Sequence, residues 1–319
     1  MYYLVIGILL VLAKLLYFKL ALKFGMVDKP NERSSHTRTT LRGGGIIFYI
    51  GVLLYVVFYG FSYIWFFVGL SLISFISFVD DLRSVSQKIR LVFHFSAMGF
   101  LFYQWDIFHY PWWVLIAILI VCTGIINVYN FMDGINGMTG GYSLVLLLFV
   151  CYVNTSVVPF IDPAFLYVVI LSLLVFNFCN FRTHARCFAG DVGSVGMAFI
   201  LIFCLGRLMI ATEDISWIVV LSVYGVDAVW TIVHRMALKE NIILPHRKHV
   251  YQIMANELKI PHISISLVYM VLQLVIDVGY IYARMQGYTW MYICVCILIL
   301  SGVYVLFMKK YYYLHQTVR

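Results

Sequence analysis

Asp191 stands in Phe188-Ala189-Gly190-Asp191-Val192-Gly193-Ser194, between two apolar stretches each long enough to cross a bilayer. A carboxylate facing hydrocarbon costs roughly 2.5 to 3.5 kcal/mol on insertion scales, so an acid at that depth faces a polar hollow, pairs, or holds a cation. Gly190, Gly193 and Gly196 surround it with backbone that can approach a ligand closely. The chemistry this suits is the holding of a metal-bound diphosphate. Asp80 and Asp81 form a second acidic site at the end of an apolar run, followed by Lys88 and Arg90. Adjacent carboxylates suit a hard cation, and each can raise the other's pKa so that one becomes a base. In the third constellation, Asn127 to Gly141, Asn130 and Asp133 lie three residues apart and would share a helix face above a glycine-rich turn.

Two further polar segments join these. The first runs from Asp28 through Asn31 and His36 to Arg42-Gly43-Gly44-Gly45. Glycines that open a helix can cradle phosphate through free N–H groups and the helix dipole; the segment reads equally as a basic loop that only marks the cytoplasmic side. The last is Pro245-His246-Arg247-Lys248-His249. Pro245 suits the first position of a helix, which would put His246 and His249 on one face, and cations without flanking acids favour a diphosphate clamp over a zinc site. Asp227 lies near an inner helix end and within reach of the site, whereas Asp277 belongs to an outer half and pairs locally or snorkels. Asp106, Asp162, Glu213 and Asp214 read as solvated acids of outer loops.

The elements that must position these residues follow from composition. With 63% hydrophobic and 11% charged residues in a chain of 319, the apolar surface exceeds what a soluble domain of that size can bury. The expectation is an all-α, polytopic membrane bundle forming one domain over residues 1–319. Measured against the roughly 20 residues that span a bilayer, apolar runs give eleven helices, near 1–22, 44–60, 62–79, 91–104, 112–128, 140–154, 163–179, 193–210, 215–233, 263–283 and 288–308. The first is read as retained, since it lacks the basic start and small-residue cleavage site of a signal peptide. Lysine and arginine gather in alternate loops, which places the N-terminus outside and the C-terminus in the cytoplasm. The net charge of +8 is then topology and requires no nucleic-acid partner. The seven cysteines, without a CxxC pair, read as small buried hydrophobes.

Taken in order, Asp28-Lys29-Pro30-Asn31-x-Arg33-x-x-His36 with its glycines, Asp80-Asp81, Asn130-x-x-Asp133-Gly134-x-x-Gly137, Phe188-x-Gly190-Asp191-x-Gly193-Ser194 and His246-Arg247-x-His249-x-Tyr251 resemble the motifs of the polyprenyl-phosphate N-acetylhexosamine-1-phosphate transferase superfamily. The resemblance spans nearly the whole chain and is similar to the branch that initiates O-antigen and common-antigen chains. It implies transfer of a sugar 1-phosphate from a UDP-linked N-acetylated sugar to undecaprenyl phosphate in the bacterial inner membrane, with release of UMP. The implied cofactor is magnesium, with manganese as a substitute, and a homodimer is a further expectation. The same resemblance implies Asp191 and Asp81 as metal ligands and Asp80 as the group that positions or deprotonates the lipid phosphate. Asn130 and Asp133 would line the nucleotide and metal site, Phe188 would stack on uracil, Lys88 and Arg90 would counter phosphate charge, and Asp28, Asn31, His36, His246, Arg247 and His249 complete the substrate contacts. Family members often carry an acid where His246 stands and a histidine at Tyr251, a departure similar to the branch acting on 6-deoxy-N-acetylhexosamines or N-acetylgalactosamine. The competing class is a secondary transporter, which also uses intramembrane acids but places them near the bilayer midplane.

Overall fold

The computed structural model describes residues 2–28, 39–241 and 246–316. Each of the eleven apolar runs is a helix, because in a chain this hydrophobic the backbone N–H and C=O groups must be satisfied within their own segment. In chain order these are α1 (Tyr2–Lys23), α2 (Ile46–Tyr59), α3 (Ile64–Leu82), α4 (Gln87–Trp105), α5 (Trp112–Met132), α6 (Met138–Ser156), α7 (Pro163–Asn180), α8 (Gly190–Thr212), α9 (Ser222–Ala237) with a 3₁₀ turn Ile215–Leu221 leading into it, then α11 (His262–Met285) and α12 (Thr289–Gln316). A short α10 (Val250–Asn256) lies in the last polar loop. Among the described residues, nine helical segments are long and apolar enough to cross a membrane. The two other runs fall short for different reasons: α2 has only 14 residues, about 21 Å of helix at 1.5 Å per residue, and α4 carries Lys88, Arg90, His94 and Gln104.

α8 is the axis of the bundle. Residues from Val192 to Leu205 are buried on every side, as expected of a helix that is apolar all round, and it packs against α2, α3, α5 and α6. Phe66 of α3 stacks on Phe203 with ring centroids 4.1 Å apart, and Phe165 of α7 meets Phe203 edge-on. The fixed axis matters because its first turn carries Asp191.

The only strands among the described residues, β1 (Val27–Asp28) and β2 (Thr40–Leu41), pair antiparallel with Asp28 opposite Thr40. Leu41 also bridges Cys187 in parallel. This small ribbon lays the Arg42–Gly45 segment against the entry to α8.

At the opposite end, two acids do more than meet solvent. Asp162 caps α7 by accepting from the Ala164 N–H at 2.9 Å and also accepts the Tyr55 hydroxyl at 2.7 Å. Asp214 caps the 3₁₀ turn through the Ser216 N–H at 2.8 Å and pairs with Arg284. The reading of both as merely solvated is corrected: they satisfy orphan N–H groups at helix starts. Asp277 behaves as expected, accepting from Gln273 one turn away at 2.8 Å.

Candidate active site

The first turn of α8 leaves N–H groups that its own helix cannot satisfy. Asp81, from the end of α3, supplies what they need: its two oxygens accept the N–H groups of Asp191 and Val192, each at 3.0 Å. The same carboxylate accepts Arg42 Nε at 2.6 Å, and its side chain has no exposed surface. Gly190, at φ +70°, has no side chain because a Cβ there would lie 2.6 Å from Asp81 Oδ2. Asp81 is thus placed as the cap of α8, with both carboxylate oxygens engaged.

Asp80 and Asp191 are the acids that open outward, with side chains 10% and 14% exposed. Arg90 joins them, giving Nη1 to Asp80 Oδ2 at 2.9 Å and Nη2 to Asp191 Oδ2 at 3.5 Å. Asp80 Oδ1 also accepts the Val85 N–H at 2.6 Å, which folds the turn between α3 and α4. Asp80 and Asp191 thus share one guanidinium. Acids distant in sequence therefore do gather in one hollow. Arg42 completes the pairing, with Nη2 at 3.4 Å from Asp191 Oδ1. Burial opposes the Arg42 charge, but Asp81 and then Asp191 hold it above the ordinary arginine value. Reasoning from the sequence passed over Arg42 as a topology marker; its place directly before the glycine run was the available signal.

The glycine run has a different task from the one expected. Gly44 and Gly45 give their N–H groups to the carbonyls of Phe188 and Ala189 at 2.8 and 2.9 Å, and the Phe188 N–H returns to Leu41 O at 2.8 Å. Those donors are spent, so they do not form a phosphate cradle. A Cβ on Gly45 would fall 2.2 Å from Gly193 Cα; the glycines let two backbones touch. Buried Lys14 ties Gly44 O at 2.7 Å from α1, and the Tyr17 hydroxyl donates to Arg42 O. Phe188 is half-buried beside this ladder, and Asp28 is close enough to Arg42 to act on its charge. Asn31 and His36 lie outside the described residues.

Asn130 sits in the last turn of α5, and Asp133 just past its end, half-buried. Loss of water pushes the Asp133 carboxyl up to about 8; Thr139 pulls the other way, while the charges of Asp191 and Asp81 add to the rise. Asn180 locks this loop to the α8 entry, accepting from the Gly137 N–H at 2.8 Å and donating to Cys187 O at 2.9 Å. The Tyr251 hydroxyl donates to Phe131 O at 2.7 Å, and Gly134 presses on the same hydroxyl, where a Cβ would lie 2.3 Å away.

The last polar loop departs from expectation. Its helix begins at Val250, with His249 as the cap in extended conformation, so His246 and His249 share no helix face; Pro245 lies outside the described residues. The two rings are nevertheless 5.0 Å apart, and Phe131 lies 6.0 Å from His246. Burial, then the neighbouring His249, Arg235 and Lys248, push His246 down to about 3. Acids do flank this loop in space: Glu240 binds both Lys248 and, at 3.2 Å, Arg235, while Asp227 faces His249. Lys88 is exposed and Arg247 half-buried.

Among the described residues, no three histidine, cysteine or acidic side chains are arranged to hold a metal ion by themselves. Magnesium, however, ordinarily takes one or two protein carboxylates and completes its shell with water and substrate phosphate. Asp80 and Asp191, adjacent and partly open, fit that use; the arrangement can bind a cation together with a diphosphate, and Arg42 and Arg90 can meet the remaining negative charge. A cleft between α9 and α12, lined by Trp230, His234, Tyr304, Met308, Lys309 and Tyr312 among others, contains none of these acids.

The sequence profile of a family described as Glycosyl transferase family 4 matches residues 63–209, a stretch holding Asp80, Asp81, Asn130, Asp133, Phe188 and Asp191. The chain is 26% identical to a "Probable undecaprenyl-phosphate N-acetylglucosaminyl 1-phosphate transferase" of Bacillus subtilis (strain 168), across 73% of this chain and 70% of that protein. It is 27% identical to the undecaprenyl-phosphate alpha-N-acetylglucosaminyl 1-phosphate transferase of Escherichia coli (strain K12), across 78% and 74%. A decaprenyl-phosphate N-acetylglucosaminephosphotransferase of Mycolicibacterium smegmatis is 28% identical across 57% and 53%.

Proposed function

From its membership of the polyprenyl-phosphate N-acetylhexosamine-1-phosphate transferase superfamily, of the glycosyl transferase family 4 type, we propose that this chain transfers a sugar 1-phosphate from a UDP-linked N-acetylated sugar to undecaprenyl phosphate. The observation that carries the reading is the junction of Asp80 and Asp191 through Arg90 at the end of the bundle where the polar loops meet. A transporter would hold such acids near the bilayer midplane; these stand at helix ends.

In the reaction, an oxygen of the lipid phosphate attacks the phosphorus that bears the sugar. The bond from that phosphorus to the bridging oxygen breaks, and UMP departs with the electron pair. Catalysis of this kind rests on positioning and charge neutralisation. A lipid phosphate monoester is already largely ionised at neutral pH, so Asp80 serves to orient it more than to remove a proton. Asp191 and Asp80 would hold magnesium, which supplies neutralisation of the diphosphate charge. Arg42 and Arg90, now paired with these acids, are placed to turn toward phosphate oxygens, and exposed Lys88 guides anions in. Asn130 and Asp133 line the nucleotide side, Phe188 offers a ring for uracil, and His246, Arg247 and His249 close over the diphosphate.

The soluble donor requires this end of the bundle to face the cytoplasm. The reading therefore includes a multi-pass bacterial inner-membrane protein of eleven spans, N-terminus outside and C-terminus inside, that starts a cell-surface polysaccharide on an N-acetylhexosamine or 6-deoxy-N-acetylhexosamine. The test is incubation of the purified protein with radiolabelled UDP-sugars, undecaprenyl phosphate and magnesium. Release of UMP with a lipid-linked sugar is expected from at least one donor; silence across a broad donor panel would reject the reading.

A further inference from the structure

Asp227 lies in α9, 5% exposed, with neither a lysine nor an arginine on its carboxylate among the described residues. Its oxygens are instead met by three donors, with a ring nitrogen of His249 beside them. Oδ2 accepts the Tyr269 hydroxyl of α11 at 2.6 Å. Oδ1 receives the Thr231 hydroxyl at 3.2 Å and the Val250 N–H at 3.1 Å, and stands 3.4 Å from His249 Nδ1. One carboxylate therefore caps α10 and grips the histidine immediately before it.

The far side of that histidine is unaccounted for. His249 is 2% exposed, and its Nε2 is buried with no hydrogen-bond partner among the described residues. A buried polar atom left without a partner is costly and signals a missing ligand or water. The ring lies 5.0 Å from His246, 6.4 Å from Phe131 and 5.8 Å from Tyr251, centroid to centroid. Phe131 belongs to the segment between Asn130 and Asp133, so the His249 ring borders the loop assigned to the nucleotide.

We infer that Asp227 is a positioning residue that holds His249 by Nδ1, so that Nε2 donates a hydrogen bond to an anionic phosphoryl oxygen of the donor substrate. A ring nitrogen bonded to a carboxylate fixes the orientation of the imidazole and the use of its other nitrogen. An imidazole donating from both nitrogens carries a positive charge, and that charge lies between Asp227 and the diphosphate, each of which needs one. The inference rests on the proposed transferase reading for the identity of the ligand.

The test is equilibrium dialysis of the full-length protein against UDP and, in parallel, uridine, for wild type, Asp227→Asn, His249→Ala and the double variant. One lost charge-assisted hydrogen bond corresponds to about tenfold in affinity. UDP binding should fall about tenfold in each single variant and no further in the double variant, because Asp227 acts through His249, while uridine binding stays unchanged. Losses that multiply in the double variant would show Asp227 to be a structural anchor only, and equal losses for uridine would remove the phosphoryl contact; either overturns the inference. Should Asp227→Asn fail to fold, Asp227→Glu, which retains the charge but displaces the grip on Nδ1, is expected to lose UDP affinity alike, and unchanged affinity in it overturns the positioning role. Wild-type protein that binds UDP yet transfers nothing would sink the transferase reading and leave this assignment standing.

Discussion

Replacing Asp191 by Asn preserves size but removes the charge that Arg42 and Arg90 pair with and the oxygen donor that a hard cation prefers. Turnover should fall about a hundredfold or more, with a melting temperature close to wild type, since a partly open group supports little packing. Asp81→Ala should behave in the opposite proportion. It strands the buried N–H groups of Asp191 and Val192 and leaves Arg42 without its shortest contact, at about 1 to 3 kcal/mol for unsatisfied groups of this kind. Its thermal unfolding in detergent should shift down clearly; an unshifted melt with lost turnover would return Asp81 to the role of open ligand. Asp133 gives a pH dependence. Its carboxyl is raised to about 8, chiefly by burial, so the folded state holds the proton more tightly than the unfolded chain and its relative stabilisation is full below the ordinary aspartate range and fades as pH climbs toward 8. The melting temperature of metal-free wild type should therefore decline from pH 5 to 8, and Asp133→Asn should flatten that decline; identical slopes in the two proteins would show that Asp133 is not the group responsible. Which acids meet at one end of the bundle was legible in the sequence, because polar residues at membrane depth are few and conspicuous. How they divide the work was not, since the cap on α8 and the pairing through Arg42 join residues 39 and 110 positions apart.

The glycines of the α2 entry show the same limit at the scale of an element. A glycine run opening a helix looks identical in sequence whether its N–H groups await phosphate or a neighbouring carbonyl. Here Gly44 and Gly45 are bonded to the α8 entry, and the distinguishing fact, a second glycine at position 193 against Gly45, lies far along the chain. Gly45→Ala forces a Cβ to within 2.2 Å of Gly193 Cα, backbone against backbone, so neither side can give way by a rotamer change. The start of α2 would have to part from α8, carrying Arg42 from Asp191. Overpacking of this sort costs about 1 to 3 kcal/mol, and here activity should fall with stability. Gly99→Ala, in α4 with nothing among the described residues within 4 Å of its added Cβ, is the matched control and should be neutral or slightly stabilising. If both variants melt and turn over alike, close contact is not what holds α2 to α8. The start of α10 was misplaced for a related reason: Pro245 signalled a helix start, but the donors that end at Asp227 fix it at Val250.

Across the whole molecule, the run of hydropathy located all eleven long helical segments, with boundaries that moved by several residues, because only a helix satisfies its own backbone in an apolar setting. Hydropathy says less about depth, since α2 and α4 reach the bundle without the length or apolarity of the rest. What sequence does carry at this scale is sidedness. Arg42, Arg83, Lys88, Arg90, Arg182 and Arg186 lie at the end that holds Asp80, Asp133 and Asp191, whereas Trp65, Trp112, Trp113 and Trp290 lie near the starts of α3, α5 and α12, at the other. By the rule that basic loops stay in the cytoplasm and tryptophan belts mark interfaces, we propose that the acidic hollow opens inward, where a charged nucleotide donor would be available. Alkaline phosphatase fused after His109, between α4 and α5, should be active, whereas the same enzyme fused after Arg186, directly before α8, should be silent and green fluorescent protein there should fluoresce. The reversed pattern would turn Asp80 and Asp191 away from any soluble cytoplasmic donor. The transfer reaction would then lack one of its two substrates, however well the acids and arginines are arranged to receive it.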